Sequence, residues 1–314
     1  SRILGGDPVD MFPYEWDAVP NGVTKEQYQP LDDYLDLGDD IWSDMSDVIE
    51  MFKYKDKHYV VPYCLSDPLL ITYNRSLCEE NGLDDPYELY KKDKWDWDTF
   101  MDMMKTFVSN AKDGETRYGI NGWFGQAMVQ STGETFVKYD GTKFSNNISS
   151  PAIEAAEGVM EEIMSLGLYA PTWSGYLPDD GSTLFFGMAD WALGASNVKA
   201  DPKPDYEDNG YVEENDLMIV PFPKQPGSDE YYLNCNFGAK MLVKNSDKGA
   251  AVAAYIKCER LASMIDEYKD AAKEKAIIPE VNAQGKLKSY VTEEQYDALQ
   301  DYKDPKNITP VFDF

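Results

Sequence analysis

A chain of 314 residues is long enough for two domains or one large two-lobed body, and its 43% hydrophobic content excludes global disorder. Against 29 basic residues stand 57 acidic ones, a net charge of −28, which argues against nucleic acid and against a basic membrane-docking face and reads as a highly soluble surface. No run of about 18 apolar residues marks a transmembrane helix, and Ser1 to Gly6 has no apolar signal core.

Gly5 to Phe12 reads as a turn feeding a short strand, and Tyr14-Glu15-Trp16-Asp17 follows just past its end. Ligands of open α/β sheets gather beyond the carboxyl ends of strands, so these residues either meet a ligand or cover a loop. Pro30 to Leu35 reads as a turn and a short helical segment. From Phe52 to Asn74 the pattern is a polar turn (Lys55–Lys57), a strand (Tyr59–Tyr63), a polar break and a second strand (Leu69–Tyr73), both strands rich in β-branched and aromatic residues. Pro68 redirects the chain and holds Asp67 extended. Two buried strands joined by a polar corner predict a crossing between two lobes, with Tyr63 at the crossing and Ser66 and Asp67 facing the space between.

Asp96 is placed to cap a helix running through Phe107, with Phe100, Met104, Phe107 and Val108 on one face; the methionines there are core residues, not a metal box. Tyr118 to Gly125 predicts a strand ending in a glycine-bounded aromatic loop. Lacking Lys or Ser/Thr, it is no phosphate loop. Trp123 either stacks on a ligand or packs inside, and its place after a strand favours the ligand. Ser150-Pro151 opens a helix with a stripe of Ile153, Ala156, Val159, Met160, Ile163 and Met164, ended by Gly167. Thr172 to Tyr176 is a second aromatic loop, carrying Trp173. The apolar run Leu184–Leu193 ends in Gly194-Ala195-Ser196-Asn197, small polar residues that allow a ligand close to the backbone.

Asp205 to Asp216 partly matches a calcium loop, with oxygen side chains at the first, third and fifth positions and Gly at the sixth. The twelfth position is Asp rather than Glu, and Pro202 and Pro204 deny a preceding helix, so a solvated acidic loop is the preferred interpretation. Leu217–Pro221 is a strand, and Tyr231 to Gly238 leads into another over Ala239–Val243. Ser246 or Asp247 caps a helix to about Leu261, with Ala251, Ala254, Tyr255, Cys258 and Leu261 inward. Ala276 to Pro279 suggests a further crossing, and Thr292 to Gln295 forms a capping box.

Nucleophile signals are absent. The single histidine, His58, sits beside the Lys55–Lys57 turn and is expected to face solvent; there is no Gly-x-Ser-x-Gly elbow, Walker motif or paired-histidine metal site. The cysteines Cys64, Cys78, Cys235 and Cys258 form no Cys-x-x-Cys pair or Cys/His cluster, so they are expected to be free, buried small residues. With so many acids, carboxylate pairs arise by chance, and a carboxylate-pair glycoside-acting enzyme stands as the alternative to a binding protein.

Several motifs in common order carry a resemblance: Gly5-Gly6-Asp7-Pro8-Val9-Asp10, Pro30-Leu31-Asp32-Asp33-Tyr34, Tyr54 to Pro62 with Tyr73-Asn74, Asp85 to Leu89 with Trp95 to Phe100, and Phe186-Gly187-Met188-Ala189-Asp190-Trp191. Together they resemble the extracellular solute-binding proteins (family 1, carbohydrate type) of bacterial ABC importers, the family that includes maltose-binding protein. In the first motif Pro and Val stand transposed or shifted; in the last, Asp190-Trp191 replaces an Ala-Met pair. Both termini of the family pattern look truncated, which would put a lipid-anchor cysteine upstream of Ser1.

The resemblance implies a type II periplasmic-binding-protein-like α/β fold: two lobes with mixed sheets flanked by helices and a ligand cleft between them. Lobe one would comprise residues 1–68 and 219–275, and lobe two residues 69–218 and 276–314. It also implies no enzymatic activity and no cofactor or metal, a monomer, delivery to ABC permease subunits, and an extracellular, lipid-anchored or periplasmic setting. Sugar rings offer apolar C–H faces to aromatics and hydroxyls to polar groups. Tyr14, Trp16, Trp123 and Trp173 are therefore the expected platforms, with Asp17, Asp67, Asn197, Asn234 and Asn236 as polar partners and Tyr63 and Ser66 at the crossing. A peptide or other small solute is a further alternative. The only arginines are Arg2, Arg75, Arg117 and Arg260, none near these residues in sequence, which favours a neutral ligand.

Overall fold

A computed structural model describes residues 9–14, 18–204, 210–212 and 214–313. In chain order its strands are β1 (Met11–Pro13), β2 (Tyr28–Gln29), β3 (Lys53–Tyr54), β4 (Lys57–His58), β5 (Val61–Ser66), β6 (Leu69–Asn74), β7 (Tyr118–Gly122), β8 (Val137–Tyr139), β9 (Phe144–Asn146), β10 (Thr183–Ala189), β11 (Leu217–Pro221), β12 (Tyr232–Asn234), β13 (Asn236–Val243), β14 (Glu280–Val281), β15 (Leu287–Ser289) and β16 (Thr309–Val311). The helices are α1 (Ser46–Met51), α2 (Arg75–Glu80), α3 (Pro86–Lys91), α4 (Trp97–Ser109), α5 (Gly125–Gln130), α6 (Pro151–Ser165), α7 (Leu193–Ala200), α8 (Gly249–Met264), α9 (Asp266–Ile277) and α10 (Glu293–Tyr302).

Two four-stranded sheets organise these elements. In the first, β13 is central, with β1 along one edge and β5 and β2 along the other, all antiparallel. The second has the order β11-β6-β10-β7, in which β10 is parallel to β7 and antiparallel to β6. All seven residues of β10 and all five of β11 are buried, which is why both read as unbroken apolar runs. Strand β5 belongs to the first sheet and β6 to the second, and only Asp67 and Pro68 separate them. The polar break is therefore the crossing, but Asp67, expected to be extended ahead of Pro68, instead turns it in the left-handed region at φ 46°, because the chain must reverse from one sheet to the other within two residues.

Helix signals translate directly. The Asp96 side chain accepts the Thr99 N–H at 2.9 Å to start α4, which buries Phe100, Met104 and Phe107 together with Met101 and Met103. Pro151 occupies the first position of α6, and Thr292 and Gln295 close the capping box of α10.

Four further expectations need correction. Helix α8 buries Val252, Ala253, Ile256 and Arg260, so it is turned by about one residue, some 100°, from the expected face. Arg260 sets this rotation: its Nε donates to the Ile41 carbonyl at 2.7 Å and its guanidinium pairs with Asp44, which makes burial of the charge tolerable. His58 is buried rather than solvent-facing. Its Nδ1 lies 2.8 Å from Asp32 Oδ1, its Nε2 lies 3.2 Å from Glu50 Oε1, and its backbone N–H donates to Asp32 Oδ2 at 2.9 Å. Of the cysteines, Cys78 and Cys235 are buried, Cys64 is half-buried and Cys258 is exposed on the outward face of α8; all are free.

The fourth correction concerns where the chain changes bodies. Ile219 to Pro221, expected with the first lobe, pair with Thr72 to Leu70 inside the second sheet. Residues 276–277 close helix α9, where an extended crossing was expected. That helix continues from α8 and is tied to α10 by Lys273, 2.7 Å from Glu293 Oε1 and 2.8 Å from Asp297 Oδ1. Of the C-terminal piece, expected with the second lobe, α10 packs there, Gln295 Nε2 donating to the Leu217 carbonyl at 2.6 Å and the Tyr302 hydroxyl to the Ile219 carbonyl at 3.0 Å, while its end reaches the first body, where Phe312 packs on Tyr14 and Phe237 with ring centroids 5.9 and 5.4 Å apart.

Candidate functional site

The parallel strands β7 and β10 end side by side, and an indole follows each end. The Trp123 N–H donates to the Gly187 carbonyl at 2.8 Å, so the chain leaves β7 pressed against β10. Gly122 (φ 91°) and Gly187 make this approach possible, because a Cβ on Gly122 would collide with the Gly187 carbonyl. Trp191 follows β10 in a short turn (Asp190–Ala192) that is held to the crossing by the Asp190 N–H, donating to the Pro68 carbonyl at 3.1 Å. Trp173 arrives on the second aromatic loop and rests against Phe186 of β10, with centroids 5.4 Å apart.

The result is a contiguous aromatic surface. Trp123 and Trp173 are stacked with centroids 5.5 Å and planes 25° apart, and Trp191 adjoins Trp123 at 6.0 Å and 57°. The three are 48%, 50% and 66% exposed, although indoles of this size usually gain by burial. Trp123 and Trp173 were expected here. Trp191 was not among the expected contacts; its place at the end of the Phe186–Trp191 motif was the signal that could have found it.

Polar groups line the crossing beside this surface. Asp67 is exposed. Ser66 and Asn236, both half-buried, face each other in the β5–β13 ladder, and Asn236 Oδ1 accepts the Phe237 N–H at 2.9 Å. Asp190 extends the line, its Oδ2 2.5 Å from Lys303 Nζ.

Other expected contacts are placed elsewhere. Tyr14 is buried against Phe52, with centroids 5.2 Å apart. Tyr63 packs toward α8, and burial, with smaller effects from Cys64, Glu259 and Tyr255, pushes its hydroxyl up to about 12. Asn197 is fully buried: its Nδ2 donates to the Tyr290 carbonyl at 2.8 Å and to Gln295 Oε1 at 2.7 Å, and its Oδ1 accepts from Gln295 Nε2 at 3.0 Å. This amide pair holds α7 to α10 and leaves the Asn197 side chain nothing to offer a ligand. Asn234 spends its amide donor on Gln130 of α5. Trp16 and Asp17 lie outside the described residues, as do Asp205 to Asn209 and Glu213 of the acidic loop. Asp216, its twelfth position, instead accepts the Ser76 N–H at 2.7 Å at the start of α2. Among the described residues, no group of three or more His, Cys, Asp or Glu side chains is placed to hold a metal ion, and no helix is long and apolar enough to cross a membrane.

Two sheet-centred bodies joined at a polar crossing, with an uncovered aromatic surface next to it, define a two-lobed binding protein. Comparison with known proteins identifies the group: residues 1–258 match the model of the bacterial extracellular solute-binding protein family, and the chain belongs to that family. No curated protein matches the chain closely enough by sequence to count as a relative. Among solved structures it is similar to the cyclic alpha-maltosyl-1,6-maltose binding protein of Arthrobacter globiformis, with 18% identity, a TM-score of 0.62, and 88% of this chain and 66% of that one covered. It is also similar to the galacto-N-biose-/lacto-N-biose I-binding protein of an ABC transporter from Bifidobacterium longum, with 13% identity, a TM-score of 0.62 and coverage of 99% and 73%. The sugar-binding protein MalE of Xanthomonas citri is a third, with 14% identity, a TM-score of 0.61 and coverage of 97% and 72%. The chain thus spans about two thirds to three quarters of the length of these structures. Their likeness carries the two-lobed fold, and the proteins of this family and these neighbours are binders rather than enzymes.

Proposed function

We propose that this protein binds a neutral sugar or short oligosaccharide outside the bacterial cell and hands it to an ABC-type importer, its two lobes closing on the ligand as a hinge. The carrying observation is the exposed run of Trp173, Trp123 and Trp191 at the ends of β7 and β10. Pyranose rings lay their apolar C–H faces on such indoles, while Asp67, Ser66 and Asn236 at the crossing offer partners for hydroxyls. Trp16 and Asp17, ligand contacts expected from the sequence, are proposed to meet the same ligand.

The arginines support a neutral ligand. Arg75 is committed to Asp85 and Glu294, Arg117 to Glu115, and Arg260 to Asp44, so none of these three is free to clamp an anion. The proposed lobes are residues up to Pro68 with those from about Phe222 to the α8–α9 segment, and residues 69–221 with the α10 region. A lipid anchor or periplasmic confinement, action as a monomer, and the absence of turnover belong to the same proposal. The family's description as extracellular supports the setting outside the cell.

Calorimetric titration with α- and β-linked glucose- and galactose-containing di- and trisaccharides, followed by product analysis of each mixture, tests this. Micromolar or tighter binding with intact sugar is the expected result. Hydrolysed sugar would replace the carrier with an enzyme.

A further inference from the structure

One buried amide touches the chain just ahead of each of the two stacked indoles. Asn121, near the end of β7, is almost wholly buried. Its Oδ1 accepts the N–H of Gly122, the residue before Trp123, at 2.6 Å, and its Nδ2 donates to the carbonyl of Thr172, the residue before Trp173, at 2.8 Å. In the parallel ladder Asn121 stands beside Phe186, on which Trp173 rests, so both side chains leave the sheet on the same face.

The second aromatic loop depends on this contact. Its entry is laid along β7 by backbone bonds. The N–H groups of Gly119 and Ile120 donate to the Leu168 carbonyl at 2.7 and 3.0 Å, and the Ala170 N–H donates to the Ile120 carbonyl at 2.9 Å. There the ladder ends. From Pro171 to Gly175, the bond from Asn121 is the only one, among the described residues, that ties the loop to the rest of the protein. The Ser174 hydroxyl donates within the loop, to the Tyr176 carbonyl at 2.6 Å.

A carboxamide of this length suits both ends at once. Gly122 offers a donor and Thr172 an acceptor, so the group between them must accept on one arm and donate on the other. An ionised Asp would set a second acceptor against the Thr172 carbonyl, and an aliphatic side chain would leave both backbone groups unpaired in a buried place. With both arms engaged and the residue covered, Asn121 is placed to orient the rings rather than to meet a ligand.

We propose that Asn121 is the positioning residue of the aromatic surface: its carboxamide holds Trp173 against Trp123 and so sets the affinity for sugar without touching it. This rests on the carrier reading, in which those indoles meet the ligand. Asn121 then acts through Trp173, and its effect on binding vanishes when that ring is absent.

The test is a double-mutant cycle of Asn121→Ala and Trp173→Ala. Affinity for the tightest-binding sugar of the panel is measured by calorimetry. The coupled bands of the stacked indoles are measured by circular dichroism, with the Trp173→Ala protein giving the spectrum of the broken pair. Asn121→Ala is expected to weaken binding about three- to thirtyfold and to lose most of the coupled bands; in the Trp173→Ala background it should change affinity by less than about twofold. Unchanged affinity, unchanged coupled bands, or an equal affinity loss in both backgrounds overturns the proposal. Should Asn121→Ala not fold, Asn121→Asp, which keeps the shape and the Gly122 bond and loses only the donor, carries the same readings. If the unmodified protein binds no sugar, it is the carrier reading that fails, and the coupled bands of the Asn121 variant then decide: kept, they overturn the positioning role; lost, they uphold it.

Discussion

The indole of Trp123 lies over that of Trp173, ring centroids 5.5 Å apart, although they reach this surface on separate loops. Each therefore covers part of the other, and each still keeps about half of its surface in solvent. Replacing Trp123 or Trp191 by Ala is expected to weaken sugar binding about 10- to 100-fold, the usual scale for a central aromatic contact, with little change in melting temperature. The Trp123→Ala/Trp173→Ala pair should fall short of the sum of its single effects, because the two rings act together. Calorimetry on the four variants, the Trp123→Ala, Trp173→Ala and Trp191→Ala singles and the pair, checks both statements; unchanged affinity in all of them would move the ligand off this surface.

Asn197 makes the opposite case. Its side chain is consumed by Tyr290 and Gln295, so Asn197→Ala leaves the Gln295 amide buried with fewer partners. The expected cost is about 1–3 kcal/mol of stability, read as a drop of several degrees in thermal melting, with sugar affinity within twofold of the unmodified protein. Lost affinity without lost stability would return Asn197 to the ligand.

Asp32 predicts a pH dependence. Burial acts to raise its carboxyl, but its bonds from the His58 ring and backbone outweigh that and hold it below the ordinary value of 3.8. A carboxyl whose folded value is depressed contributes its stability above the unfolded value and loses it as pH falls through the folded one. The unmodified protein should therefore lose melting temperature below about pH 4 more steeply than Asp32→Asn. Parallel acid limbs for the two proteins would show that the His58 bonds contribute nothing.

Thiol chemistry separates the cysteines. Cys258 is exposed, whereas Cys78 and Cys235 are buried, and burial pushes the Cys78 thiol up to about 12 and that of Cys235 higher still. Cys64, half-buried, is also raised by burial. Iodoacetamide on the folded protein should alkylate Cys258 first, and Cys258→Ser should abolish the fast phase in peptide mass spectra.

Much of the frame was legible because local signals and burial agreed. Asp96 before an apolar stripe, Ser150-Pro151, the Thr292–Gln295 box and the run Leu217–Pro221 each specify an element without help from distant residues. The misassignments share a different origin. His58 looked solvated because its neighbours Lys55 and Lys57 are exposed, while its carboxylate partners come from α1 and the Pro30–Leu35 segment. The face of α8 was misjudged because periodicity counts apolar residues, and the deciding inward group is Arg260, whose partner Asp44 lies in another part of the chain. In the site, Trp123 was readable as an aromatic on a loop after a strand, and Trp173 as one on a second aromatic loop. Asn197 resembled a ligand contact because its neighbours are small and polar, yet its partner Gln295 is visible only in the folded arrangement.

The central position of β13 has a consequence for the order of assembly. All four strands of the second sheet lie between residues 69 and 221, whereas the first sheet is held together by residues 236–243, which pair with β1, β5 and β2. On the ribosome, the early segments of the first body must therefore wait, unpaired, while the whole second sheet emerges. The second body is the natural first cooperative unit, and β13 is the keystone whose arrival turns the waiting segments into a fold.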